Sequence, residues 1–162
     1  MNPVSPDPTT APPTIYEWAG GRPAFERWLN VFYDHVEDDE LLGPVFGGRV
    51  GEAHRRHVTA WWCEVMGGPA EYTERHGGYE HMLSRHVGLA ISGEQRLRFV
   101  TLLSRAADDA GLPADPEFRA AIIGYAEWGS RLAVHNSQPG AESTAHAPVP
   151  RWGWGLAPPY VP

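Results

Sequence analysis

The 162-residue chain reads as an all-α fold, and three observations carry that reading. Apolar residues recur at the 3.6-residue period of a helix in several separate segments. Helix punctuation stands where those segments begin and end: Gly-Gly pairs, a Ser-Gly-Glu-Gln box and an Asp-Pro dipeptide. No stretch alternates apolar and polar residues over the length of a strand, and no internal repeat appears.

The first strong stripe is Phe25, Trp28, Leu29, Phe32, Tyr33 and Val36, one helix face over three turns. Gly20-Gly21 precedes it, and Pro23 suits its first turn. A second helix is expected from about Gly51 to Met66, with His54, Val58, Trp61, Trp62 and Val65 as its stripe and Gly67-Gly68-Pro69 as its stop. A short helical segment follows near Tyr79–His86. Ser92-Gly-Glu-Gln is a capping box opening a fourth helix with Leu97, Val100, Leu103 and Ala107 on one side. Gly111-Leu-Pro113 ends it. Asp115-Pro116 opens the last helix, whose face carries Phe118, Ala121, Ile122, Tyr125 and Leu132. The stretches 38–50 and 67–80 are rich in Gly and poor in helix signal. Connections this loose do not suit a regular four-helix bundle. They suit a fold that wraps something.

Prolines concentrate at the ends, five of sixteen in residues 1–13 and six in residues 139–162. The expected organisation is therefore a Pro-rich arm over 1–13, a domain over 14–137 and a Pro/Trp-containing tail over 138–162. Trp152, Trp154 and Tyr160 stand out in that tail. Its composition favours disorder, while the aromatic residues allow it to dock on its own or a neighbouring domain.

Charge and cysteine content exclude several roles. The net charge is −7, from 20 acidic and 13 basic residues, and every basic residue is Arg. Such a chain is repelled by phosphate backbones, so nucleic acid is not an expected partner. The lone Cys63 forms no internal disulfide and no Cys-based metal site. No apolar run approaches the roughly 20 residues that span a bilayer, so no membrane role is expected. The N-terminus lacks the basic and apolar regions of a secretory signal, and the cytoplasm is the expected location.

The common catalytic signatures are missing. There is no HExxH, no paired Glu-x-x-His for a di-iron site, no Gly-x-Ser-x-Gly elbow and no P-loop. Single residues on different elements remain. His54 heads an apolar stripe; taken alone it reads as a partly buried, hydrogen-bonded imidazole. Tyr33, beside Phe32, reads as core with a hydroxyl seeking a partner. Phe46 reads as an anchor of the Gly-rich loop. His86, next to Arg85, means little alone.

Taken together in order and spacing, these residues resemble the truncated (2-on-2) haemoglobins. The likeness covers about residues 14–136. It runs through Phe32-Tyr33, DELLGPVF at 39–46, EAHRRHVTAWW at 52–62, MGGPAEY at 66–72, HMLSRH at 81–86 and the two closing helices. It implies a globin-like 2-on-2 helical sandwich with a very short first helix and a nearly absent proximal helix, holding haem b. By the same resemblance His86 is the proximal iron ligand, and Tyr33 and His54 are distal donors toward a diatomic gas. Phe46 wedges the haem, and Val58, Trp61 and Trp62 wall the distal side. Arg85, with Arg55, His57 and Tyr72, meets the propionate edge, and Met82 completes the haem contacts. Phe99 stands where many relatives carry Trp, keeping an aromatic wall without an indole donor. His54 and Phe46 lean toward the third group of these globins, and the Gly-Gly-Pro break and Arg85-His86 toward the second. The implied function is binding of O2, NO or CO, with NO dioxygenase or peroxidase-like redox activity, a reductase partner, and a monomeric or homodimeric state. The competing expectation is a haem-free all-α interaction module that binds a partner through its aromatic tail.

Overall fold

The computed structural model describes residues 11–143 and 146–155. Its described residues form seven α-helices, one 3-10 turn and no strand. In chain order they are α1 (Ile15–Ala19), α2 (Arg22–Glu37), the 3-10 turn Gly43–Phe46, α3 (Glu52–Val65), α4 (Glu71–Arg75), α5 (Gly78–His86), α6 (Gly93–Asp109) and α7 (Pro116–Ser137). The most extensive packing is α2 on α6, α2 on α3, and α6 on α7. Two helix pairs laid on each other this way are the expected 2-on-2 sandwich.

The predicted stripes become the core. Trp28, Leu29, Phe32 and Val36 of α2 are fully buried together with Leu103 of α6 and Phe118 and Ile122 of α7. Trp28 sits at the crossing. Its indole N–H donates to the Leu103 carbonyl at 3.0 Å, and its ring meets Trp62 of α3 edge-on at 4.9 Å. One side chain thereby ties α2 to both neighbouring helices.

Local sequence fixes the helix ends. Ser92 Oγ accepts from the Gln95 N–H, and the Gln95 side chain accepts from the Ser92 N–H, so both halves of the capping box form. Asp115 caps α7 by accepting from the Phe118 N–H at 3.0 Å, and its second oxygen accepts from the Trp18 indole at 2.9 Å. That one carboxylate starts the last helix and holds the first against it. Gly20 and Gly21 both adopt positive φ, which lets the chain turn from α1 directly into α2.

Two expectations change. The Gly-rich stretches contain more helix than their composition suggests, namely the 3-10 turn within 38–50 and α4 within 67–80. The helix on which the resemblance places His86, expected to be nearly absent, is longer than that. α5 runs nine residues, starts after Gly77 at φ 85°, and buries Leu83 while packing on α4 and α7. A single buried leucine and a left-handed glycine give too weak a periodic signal to set that length from sequence.

The tail also departs from the disorder its composition favours. Val149 is buried in the main core. The Trp152 N–H donates to the Val65 carbonyl at 2.8 Å, and the Trp154 indole donates to the Pro13 carbonyl at 2.7 Å. The Trp154 ring meets Trp18 edge-on at 6.2 Å. Two of the three tail aromatics thus dock on their own domain; Tyr160 lies outside the described residues. No helix among the described residues is long and apolar enough to cross a membrane.

Trp28→Ala should cost about 3–5 kcal/mol, read as a lower urea midpoint at an unchanged slope. A loss below about 1 kcal/mol would show that the helix pairs do not depend on this crossing.

Candidate haem site

The site begins where α2 and α3 cross. Tyr33 projects from α2 and is 2% exposed. His54 projects from the first turn of α3, and its Nε2 lies 3.3 Å from the Tyr33 hydroxyl. Phe46, at the end of the 3-10 turn, closes a three-ring group: Tyr33–Phe46 5.7 Å, Tyr33–His54 5.3 Å and Phe46–His54 5.9 Å, all edge-on. Behind Tyr33, the Phe32 ring meets Phe99 of α6 at 5.0 Å. The structure therefore brings together four residues that the sequence singled out on four separate elements.

Burial sets the protonation of these groups. It pushes the Tyr33 phenol well above its ordinary value, more than Arg55 nearby pulls it down, so the hydroxyl keeps its proton and stays a donor. His54 is shifted down, first by burial and then by the positive groups Arg85, His57 and Arg55. It is a neutral imidazole at neutral pH.

His86 ends α5 and is half-buried. Its Nδ1 lies 2.9 Å from the Met82 carbonyl. A carbonyl only accepts, so Nδ1 carries the proton and Nε2 presents its lone pair. Burial lowers the pKa of His86, which keeps that lone pair available to below the usual imidazole range, against a smaller opposing effect of the Met82 bond. Nε2 has no hydrogen-bond partner among the described residues.

The chain after His86 is held from α7. The Ala90 N–H donates to the Ser137 carbonyl, and the Ile91 N–H donates to the Ser137 hydroxyl, each at 2.9 Å. Ala90 sits at φ 49°, a left-handed conformation that this grip sustains. Ser137 carried no sequence signal, because nothing in a terminal serine announces a distant backbone partner.

The remaining predicted residues divide. Val58, Met82 and Phe99 are half-buried against the core. Tyr72 is buried beside Trp61, His76 and His81, with ring separations of 5.1, 5.7 and 6.3 Å, and burial raises its phenol to about 12. His57 is exposed and stacks on His76 at 4.4 Å. Arg85 is exposed and makes no ion pair among the described residues. Arg55, a candidate for the propionate edge, has its donors engaged within the protein. It donates to the Asn30 and Val50 carbonyls at 3.0 and 2.9 Å and pairs with Asp34 and Glu37 at 2.8 and 3.1 Å. Trp62 faces the interior, meeting Trp28 and Tyr125 at 4.9 Å each. Trp61, at i+7 from His54, turns instead toward Tyr72 at 5.1 Å.

These residues fit a haem. A half-buried imidazole offers one free lone pair. Val87 and Leu89, immediately after it, leave 63% and 48% of their surface exposed, apolar area that a flat macrocycle would cover. Arg85 beside them is an unspent cation for a carboxylate. Among the described residues no cluster of three or more His, Cys, Asp or Glu side chains is arranged for a bare metal ion.

Comparison with known proteins agrees. The family of bacterial-like globins matches residues 14–125. A group 2 truncated hemoglobin of Bacillus subtilis is 27% identical over 118 residues, 73% of this chain and 86% of that protein. A group 1 truncated hemoglobin of Nostoc commune is 33% identical over 78 residues, 48% of this chain and 62% of that protein. Among solved structures, the hemoglobin of Chloroflexus aurantiacus superposes with a TM-score of 0.66 at 30% identity, covering 75% of this chain and 97% of that one. The chain belongs to the bacterial-like globin family and is a haem-binding globin of the truncated type.

Proposed function

We propose that this globin holds haem b through His86 Nε2 and binds O2, with CO and NO as competing ligands, under hydrogen bonds from Tyr33 and His54. The observation that carries this reading is the pairing of a His86 lone pair, freed by the Nδ1 bond to Met82, with two protonated donors at the α2–α3 crossing. Haem supplies an iron with one exchangeable position for a diatomic gas and a one-electron redox couple.

The chain's residues do the rest. Met82 fixes the His86 tautomer and ring orientation, as a carbonyl commonly does for a metal-binding imidazole. Tyr33 keeps its proton because it is buried, so it donates to a ligand that carries partial negative charge. Neutral His54 has one N–H; carried on Nε2 it donates to the Tyr33 hydroxyl, which leaves that hydroxyl's own proton for the ligand, and a bound ligand can share the same N–H. Phe46 and Phe99 exclude water from one side of that pair. Arg85, with His57 and Tyr72 nearby, meets the propionates. Arg55 supports Tyr33 by fixing the backbone beneath it, with its guanidinium carbon 5.9 Å from the Tyr33 ring centroid.

The interaction-module reading loses its binding element, because Trp152 and Trp154 are already engaged by their own domain.

His86→Ala should lose stoichiometric haem, and added imidazole should restore binding to His86→Gly. Full haem content with an unchanged spectrum in His86→Ala would remove the axial assignment. Tyr33→Phe and His54→Ala should each speed O2 dissociation about tenfold, the equivalent of one hydrogen bond of ~1.4 kcal/mol. Stopped-flow displacement by CO reads this directly, and unchanged rates in both variants would show that neither side chain faces the ligand.

A further inference from the structure

A series of aromatic rings joins the distal helix to the protein surface. Trp61 lies on the α3 stripe that carries His54 and Val58 and is 7% exposed. Its indole N–H donates to the Tyr125 hydroxyl of α7 at 2.8 Å. The Tyr125 ring, 5% exposed, meets Trp152 at 5.6 Å and Trp128 at 6.0 Å. Trp128 and Trp152 meet each other at 5.8 Å. Trp128 ends the series with 44% of its surface exposed. The other branch from Tyr125 passes through Trp62 to Trp28 and stops in the buried core.

Tryptophan and tyrosine are the side chains most readily oxidised by one electron, and rings near van der Waals contact exchange electrons fast. The two differ in what oxidation requires. A tyrosine must shed its proton, and among the described residues nothing accepts the Tyr125 proton, because its hydroxyl only receives from Trp61. A tryptophan can lose an electron and keep its proton. The Tyr125 ring is therefore a bridge, and the vacancy left by an electron comes to rest on Trp128 and Trp152. Packing alone explains Trp152, whose ring the tail needs for docking. It does not explain a tryptophan at position 128, nearly half in water.

We propose that Trp61, Tyr125, Trp152 and Trp128 form an electron path, and that Trp128 is a surface oxidation site for small phenols or aromatic amines when hydrogen peroxide is the oxidant. This rests on the haem reading above, since the haem is where peroxide is reduced. Per peroxide, the O–O bond breaks and two electrons and two protons are taken up, giving two waters. Two phenols each give one electron at Trp128 and release one hydroxyl proton, which balances both. With no donor present, the electrons come from Trp128 and Trp152 themselves.

The test treats the ferric, haem-loaded full chain with hydrogen peroxide and no added donor, then maps oxidised residues by peptide mass spectrometry. The haem-free chain is treated in parallel. Hydroxylated or ring-opened tryptophan should concentrate on Trp128 and Trp152, only when haem is present. Adding the phenol guaiacol should suppress it. Trp128→Phe should keep the Soret band and CO spectrum while losing most guaiacol oxidation, and oxidation should move inward to Trp152 and Trp61. Tyr125→Leu should abolish Trp128 modification; if that variant does not fold, Trp128→Phe still decides. Modification confined to Tyr33 or Tyr72, equal Trp128 oxidation in the haem-free chain, or undiminished guaiacol oxidation in Trp128→Phe would each overturn the path. Failure of the wild-type chain to show a Soret band would instead overturn the haem reading beneath it.

Discussion

One guanidinium fixes the place where Tyr33, His54 and Phe46 meet. Arg55, in the first turn of α3, reaches across to α2 and spends its donors on the Asn30 carbonyl, Asp34 and Glu37, and on the Val50 carbonyl at the end of the intervening loop. Glu37 also accepts from the Val50 N–H at 2.8 Å. The side chain is only 15% exposed, so its charge has left most of its water and must be met by these acceptors. Asp39 pins the other end of the same loop, accepting from the Leu41 and Leu42 N–H groups and from Arg98 of α6. The 3-10 turn that carries Phe46 hangs between these two anchors. Tyr33, His54 and Phe46 converge because the backbone around them is held on both sides.

The two faces of the site use burial in opposite senses. Burial keeps Tyr33 protonated, so its hydroxyl remains a donor. Burial keeps His86 unprotonated, so its Nε2 remains an electron-pair donor. Both states persist across neutral pH without a neighbouring charge dedicated to either. The Met82 and Ser137 bonds add orientation, the first to the imidazole ring and the second to the chain just beyond it. The site is thus set before a cofactor arrives, which limits the ordering that binding must impose.

Much of this was legible in the sequence because it depends on short-range pattern. The α2 stripe, the Ser92 box and the Asp115 cap are local, and each forms as read. The order and spacing of Tyr33, Phe46, His54 and His86 pointed to one site, although each alone had an ordinary structural reading. What was not legible depends on distant partners. The network around Arg55 left no trace in the sequence because the backbone carbonyls it binds have no sequence signature. Trp61 and Trp62 are adjacent, and a 100° rotation on the helix sends their rings to different partners, Tyr72 for the first and Trp28 for the second. The tail looked disordered because two tryptophans among prolines show no period; their partners are Pro13, Val65 and Tyr125, far away in the chain.

Whether these separately positioned side chains serve one haem with an exchangeable ligand site is read from an absorption spectrum of the purified protein, as isolated, reduced, and reduced under CO. A strong Soret band that shifts on reduction and shifts again with CO is the expected result. A flat visible spectrum that stays flat after hemin is added would contradict it.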